Sequence, residues 1–227
     1  MSEAMQIATT NDAAILVEGN LLACGAGMSA QNRHDVKNAF HFATLVADSK
    51  FDAEKQSREW YNQFIDVMRD IGFTIPRRSF ELNTSAELSV TVGAVAIRTI
   101  GAVGNALLGG TKLGELAKSA FDALVTVKSD AKIIDHKRSN KARGMVGMAA
   151  CIETANNDVV MVVNCIQASA PQLDSDILGI QWKLDKTQYY AGTAVLILNN
   201  VVYDHARASV ENKLGVRTVE NVLQYDI

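Results

Sequence analysis

The chain has 227 residues, of which 48% are hydrophobic and 21% are charged, a composition typical of a globular protein rather than a disordered one. Its net charge of −3 at pH 7 comes without the concentrated basic surface that phosphate contacts require, so no nucleic-acid partner is expected. The three cysteines, Cys24, Cys151 and Cys165, fit no zinc spacing, and an odd number argues against a closed disulfide framework.

The N-terminal residues MSEAMQIATTNDAAILVEGN carry acidic groups where a secretory signal peptide requires basic ones. We therefore expect the protein to be cytoplasmic as synthesised. Export by a route without a cleaved signal peptide stays open as an alternative.

A glycine-rich turn follows the first apolar run. Gly25, Gly27 and Ala30 match the G-x-G-x-x-A spacing of dinucleotide-binding turns. The stretch also resembles the first nicotinamide-dinucleotide-binding motif of the sirtuin deacylases, but the other sirtuin motifs are absent. A dinucleotide site needs a strand, a helix and a second strand ending in an acid, whereas here a helix leads into another helix. We interpret the turn as a helix cap and keep a nucleotide-binding enzyme as an alternative function.

Residues 31–48 and 52–71 have the periodicity of two amphipathic helices joined by a short connection. Their apolar stripes are formed by Val36, Phe40, Ala43 and Ala47 in the first helix and by Trp60, Phe64, Val67 and Ile71 in the second. Asp52 is the predicted N-cap of the second helix, and Gly72 is predicted to end it. Pro76 then blocks further helix.

The same region carries a resemblance to a protein family. The matching residues are Phe51-Asp52, Glu59-Trp60-Tyr61, Phe64 and Gly72-Phe73, within the pattern ADxKFD…EWYxxF…GF. This pattern resembles a family of uncharacterised bacterial and fungal proteins with an apolar helical middle and a β-rich end. The resemblance implies an α+β architecture. It carries no established activity and no functional residue.

The segment from Val90 to Gly110 contains a single charged residue, Arg98. A membrane-spanning helix is disfavoured, because its eight Val, Ile and Leu residues contribute about 0.3–0.6 kcal/mol each to insertion while a central arginine costs about 2.5–3.5 kcal/mol. A buried helix fits better, since the small residues allow close contact between backbones. Interior glycines weaken such a helix by about 1 kcal/mol each relative to alanine.

Residues 88–127 are therefore predicted to form a weakly charged, glycine-interrupted pair of helices, the second over Leu113–Val127. Such a pair is typical of a non-enzymatic membrane-active or toxin-like protein. The residues predicted to contact a membrane or partner are Arg98, Ile100, Val103, Leu107 and Leu108. A non-enzymatic homo-oligomeric interaction module is the alternative, so a lipid membrane and a second copy of the chain are the candidate partners.

A basic cluster lies between residues 136 and 143. Its cations, which are candidates for contact with an anionic surface, are Lys137, Arg138, Lys141 and Arg143. A solvated loop and a contact with anionic lipid headgroups both fit this pattern.

The second half of the chain shows the alternation of strands. Residues 145–154 and 159–168 flank ANND, which predicts a hairpin turn. Two more strands are predicted over residues 177–185, where Trp182 lies on the apolar face, and over residues 189–199. A final helix over residues 202–214 is predicted to stop at Gly215.

The predicted fold class is thus α+β in a single domain. An N-terminal helical layer of about residues 31–127 packs on an antiparallel sheet of four or slightly more strands, about residues 143–198. The histidines His34, His41, His136 and His205 form no metal-ligating or catalytic spacing, and no G-x-S-x-G motif is present. We therefore expect no catalytic residue, no cofactor and no metal, and we favour a non-enzymatic protein.

Overall fold

A mixed β-sheet forms the centre of the fold, and helices cover both of its faces. The computed structural model describes residues 5–8, 13–53, 55–84, 91–126, 143–169 and 188–222. In chain order the elements of these residues are β1 (Met5–Ala8), β2 (Ala13–Val17), β3 (Asn20–Cys24), α1 (Ala30–Lys50), α2 (Ser57–Asp70), β4 (Phe73–Thr84), α3 (Val92–Leu108), α4 (Lys112–Thr126), β5 (Arg143–Glu153), β6 (Val159–Ser169), β7 (Gln188–Leu198) and α5 (Asn200–Val222).

The seven described strands lie in the order β1-β2-β3-β5-β6-β7-β4. The predicted α+β class is confirmed, but the expectation of a purely antiparallel sheet is wrong. Strands β3 and β5 run parallel, with Cys24 opposite Cys151, while the other neighbouring strands are antiparallel. The parallel pair requires a long crossover, which α1, α2, β4, α3 and α4 supply.

The strands that come before residue 85 were not predicted from the sequence. Strands β2 and β3 form a hairpin whose turn places Glu18 at φ 47° and Gly19 at φ 76°. Strand β4 lies at the edge of the sheet, and its register against β7 shifts between Thr74 and Arg77, around Pro76. A proline is tolerated at an edge or a bulge because no ladder hydrogen bond is lost there. Helix α2 has already ended at Asp70, so Pro76 lies inside a strand, where it does not exclude strand pairing.

The helices α1, α2 and α5 cover one face of the sheet. The predicted apolar stripes of α1 and α2 are confirmed, because all eight residues belong to one buried cluster with Cys24, Cys151, Met161 and Leu196 of the strands. Gly72, at φ 117°, follows α2 as predicted. The N-cap prediction for Asp52 is wrong, since α2 begins at Ser57 and the Asp52 Oδ1 atom accepts the backbone N–H of Lys55 in the preceding turn.

The C-terminal helix extends further than predicted. Helix α5 runs through Gly215 to Val222. Gly215 does not adopt the positive φ that would end the helix there. The predicted strand around Trp182 lies outside the described residues.

Polar bonds tie this helical layer together. The Asp35 side chain of α1 is 1% exposed, and it accepts two hydrogen bonds from the Arg207 guanidinium of α5, at 2.8 and 2.7 Å. The Trp60 indole N–H of α2 donates to the Asp48 carboxylate of α1 at 2.6 Å. The Ser57 hydroxyl donates to Gln167 of β6 at 2.7 Å. The layer is therefore fixed by directional bonds in addition to its apolar contacts.

Replacing Arg207 with methionine will test the bond between α1 and α5. The change leaves the buried Asp35 carboxylate without its cation, and breaking a buried pair in this way costs about 3–5 kcal/mol. The free energy of unfolding, measured by urea denaturation, should fall by that amount. Asp204→Asn is the matched control: Asp204 is 58% exposed and also contacts Arg207, so its loss should change stability by about 1 kcal/mol or less.

Candidate functional site

The helical hairpin of α3 and α4 covers the opposite face of the sheet. Buried residues of α3 recur at every fourth position, at Val92, Ala96, Ile100 and Gly104. The buried residues of α4 are Leu113, Leu116, Ala117, Ala120 and Leu124. Both sets pack on Leu21 of β3, Met148 of β5 and Val162 of β6. The expectation of a single helical layer on one face is therefore wrong.

Local hydrogen bonds define the ends of this hairpin. The Thr91 hydroxyl accepts the backbone N–H of Ala94 at the start of α3. At its end, Gly109 adopts φ 66° and donates its N–H to the Asn105 carbonyl, while Gly110 at φ 107° donates to the Asn105 side chain at 2.7 Å. Side chains are strained at positive φ, so the Gly109-Gly110 pair allows the chain to reverse directly into α4.

Close backbone contact holds α3 against α4. A Cβ atom on Gly114 would lie 2.8 Å from the Gly101 Cα, and one on Gly104 would lie 2.8 Å from the Leu113 Cβ. The interior glycines of α3 thus serve close packing between the helices, which compensates for their weak helix propensity.

The outer side of α3 is exposed and weakly charged. Helix α3 exposes Ala94, Arg98, Ala102, Asn105, Ala106, Leu107 and Leu108. The Arg98 side chain lies close enough to Tyr189 of β7 to counteract the rise that burial causes in the pKa of that hydroxyl. The expected buried helix is therefore buried along one stripe only.

The five residues predicted to contact a membrane or partner occupy different environments. Leu107 and Leu108, which are 43% and 37% exposed, form the apolar tip of the hairpin, and Arg98 is exposed further back. Val103 is half-buried, and Ile100 is fully buried against the sheet. In this fold the tip leucines can meet an external surface directly, whereas Ile100 cannot do so while the hairpin stays packed.

Among the described helices, none combines the length and the apolar character that crossing a membrane requires. Helix α3 has 17 residues and is about 26 Å long at 1.5 Å per residue. The hydrocarbon core of a bilayer is about 30 Å thick.

The predicted anionic-surface contacts fall largely outside the described residues, which include neither Lys137, Arg138 nor Lys141. Arg143 begins β5 and pairs with Ser169 of β6 in the sheet register. These four residues remain predictions.

The glycine-rich turn at Gly25–Ser29 joins β3 to α1, but a carboxylate already occupies the end of the helix. The backbone N–H of Ser29, the N-cap of α1, donates to the Glu153 Oε2 atom at 2.7 Å. This bond and a second from the Asn32 side chain lower the pKa of Glu153. The phosphate of a dinucleotide would bind at this position, so the turn functions as a cap as predicted. Sequence spacing could not identify Glu153, which is 124 residues away from Ser29.

No family model and no curated protein matches this chain, which is consistent with the resemblance to an uncharacterised family. Among solved structures it is similar to that of the Evf virulence factor, at 12% identity and a TM-score of 0.41 over 88% of this chain and 82% of the other. It is also similar to a delta-endotoxin, at 12% identity and a TM-score of 0.35 over 74% of each chain. At these values neither similarity carries a functional argument.

Replacing Gly114 with alanine will test the packing of the hairpin. The new methyl group must displace the backbone of α3, and overpacking of this kind costs about 1–3 kcal/mol. The matched control is Gly215→Ala in α5, where a Cβ atom would meet nothing within 4 Å. The control should raise the free energy of unfolding by up to about 1 kcal/mol. Equal effects of the two changes in thermal unfolding would contradict the close contact.

Replacing Glu153 with glutamine will test the cap through its pH dependence. The folded pKa of Glu153 lies below its ordinary value of 4.5, so its charge stabilises the fold above that value, and the stabilisation is lost as the pH falls through the folded pKa. At neutral pH the variant should be less stable by about 0.3–1 kcal/mol, the scale of an anion at a helix N-terminus. The difference should disappear at acid pH. Glu81→Gln, at an exposed position of β4, is the matched control for the loss of one surface carboxylate, and an equal pH-dependent loss in this variant would contradict the cap.

Proposed function

We propose that this is a non-enzymatic, membrane-active protein of the toxin-like kind, and that the α3–α4 hairpin makes its lipid contact. The observation that carries the proposal is the apolar tip of that hairpin, where Leu107 and Leu108 are exposed beside Gly109 and Gly110. The tip ends a helix that carries one charge in 17 residues.

The two helical layers differ in how they are fixed to the rest of the fold. Helices α1, α2 and α5 are joined by Asp35–Arg207 and Asp48–Trp60, and Ser57 bonds to the sheet. The hydrogen bonds at the two ends of α3 join residues of the hairpin to one another. The contact between the hairpin and the sheet is mainly apolar. Apolar contacts can be exchanged for lipid contacts without leaving a buried polar group unpaired. The hairpin is therefore the layer better suited to leave the sheet at a membrane surface.

The tip itself is suited to a first encounter with lipid. Leucine side chains gain about 1.5–3 kcal/mol on full burial, so the half-exposed pair retains part of that gain for insertion. Lys112 is exposed one short turn further on, and Arg98 is exposed on the outer face of α3. Long cationic side chains of this kind can extend to lipid phosphates while their stems stay in the apolar region. The arrangement fits an interfacial position on an anionic bilayer.

Dye release from vesicles tests this proposal. Wild-type protein should release dye from vesicles of phosphatidylcholine and phosphatidylglycerol, and the double variant Leu107→Asp/Leu108→Asp should lose about tenfold or more of that activity, because each aspartate opposes insertion by about 2.5–3.5 kcal/mol. The two side chains are 43% and 37% exposed and therefore partly packed, so each change should lower the free energy of unfolding by about 1–2 kcal/mol, and circular dichroism will establish that the variant is folded.

Val201→Asp is the matched control. Val201 is 72% exposed on α5, in the other helical layer, and this variant should release dye as the wild type does. Failure of the wild-type protein to release dye from vesicles of any tested composition or pH would overturn the proposal. Equal losses in the control and the tip variant would show that the hairpin is not the lipid-contacting element.

A further inference from the structure

Three sulfur atoms meet at the carboxyl end of the parallel strands β3 and β5. The Cys151 Sγ atom lies 3.4 Å from the Cys24 Sγ atom and 3.6 Å from the Met28 Sδ atom. Both thiols are fully buried, and Met28 is 5% exposed. The parallel register places the two cysteines directly opposite each other, and the Gly25–Ser29 turn carries Met28 back over them.

The Arg33 guanidinium lies beside Gly25, near the end of β3 and one residue beyond Cys24. The hydrogen bond with Cys24 and burial raise the pKa of the Cys151 thiol well above its ordinary value, and the positive charge of Arg33 opposes part of that rise. One Arg33 nitrogen donates to the Gly25 carbonyl at 3.4 Å, and its Nε atom is buried without a hydrogen-bond partner among the described residues. A negative charge on the sulfurs would therefore form beside a cation with an unused donor.

An open cleft at the surface includes Met28 in its lining. It has a volume of about 320 Å³, and its lining consists of Ile15, Met28, Ala30, Arg33, His34 and Lys37. Met28 lines this cleft and its sulfur also contacts the Cys151 thiol at 3.6 Å, so one side chain is shared by the cleft and the buried sulfurs.

We propose that Cys24, Cys151 and Met28 form a binding site for one monovalent copper ion, Cu(I). Thiolate and thioether are the soft ligands that select this ion. At a metal–sulfur distance of about 2.3 Å, as in zinc thiolates, two sulfurs on one ion lie at most about 4.6 Å apart, and the Cys151 sulfur is within that distance of both the Cys24 and the Met28 sulfur.

Zinc is a poorer match for this ligand set. A structural zinc site takes four nitrogen, oxygen or thiolate ligands in a tetrahedron. Within the described part of the chain, no group of three or more His, Cys, Asp or Glu side chains could hold a metal ion. The site offers two thiols and a thioether, which suits an ion that accepts three soft ligands.

Charge is balanced when copper binds. Each of the two thiols loses its proton to solvent and forms a bond from sulfur to copper, and no electron is transferred. Two thiolates and one Cu(I) leave a net charge of −1, which the adjacent Arg33 guanidinium offsets. The affinity for Cu(I) should rise with pH, because both thiols must lose their protons for the ion to bind.

Competition with a chromophoric Cu(I) chelator tests the site. Under anaerobic conditions with ascorbate, the folded wild-type chain should withdraw one Cu(I) from bicinchoninate. Cys24→Ala and Cys151→Ala should each abolish this transfer. Met28→Leu, which conserves volume, should weaken it by about tenfold or more, the scale on which metal sites respond to a lost supporting group. Circular dichroism will establish that each variant is folded.

Cys165→Ala is the matched control, because Cys165 is also a buried cysteine, 3% exposed, in the hydrophobic core on the same face of the sheet. It should bind copper as the wild type does. The proposal is overturned if the wild type leaves all copper on the chelator, or if the folded Cys24→Ala and Cys151→Ala variants still bind. It is also overturned if Met28→Leu binds with unchanged affinity, or if Cys165→Ala abolishes binding.

Discussion

The parallel pairing of β3 with β5 is the interaction on which the rest of this structure depends. It joins the N-terminal hairpin to the C-terminal strands, and its residues Leu21–Cys24 and Met148–Cys151 are at most 1% exposed. Side chains alternate along each strand, so Leu21 and Met148 face α3 and α4 while Cys24 and Cys151 face α1. This one pair of strands thus packs against both helical layers.

The two helical layers are stabilised by different kinds of contact. Directional bonds such as Asp35–Arg207 fix the relative positions of α1 and α5, and losing one of them leaves a buried charge. The α3–α4 hairpin contacts the sheet mainly through apolar side chains, which do not require one fixed partner. Local opening in proteins follows the elements with the fewest such constraints. This difference between the two layers supports the proposed lipid contact of the hairpin tip at Leu107.

The carboxyl ends of the same two strands collect the remaining chemistry. Glu153 at the end of β5 caps α1, and the sulfurs of Cys24, Cys151 and Met28 lie beneath that cap. Parallel strands bring residues distant in the chain to one edge, which is why such edges commonly carry binding sites. Here the helix terminus is already neutralised by a carboxylate, so the soft sulfur atoms are the chemically distinctive feature.

The sequence alone determined what local periodicity encodes: the buried stripes of α1 and α2, the β5–β6 hairpin, β7 and the α+β class. It did not reveal β4, where Pro76 resembles a break, nor the hairpin before Gly25. Only the tertiary structure decided that helices cover both faces, that Ile100 is buried while Leu107 is exposed, and that Cys24 lies beside Cys151. The physical reason is that periodicity records whether a residue is buried, whereas strand pairing across 127 positions determines against which partner it is buried.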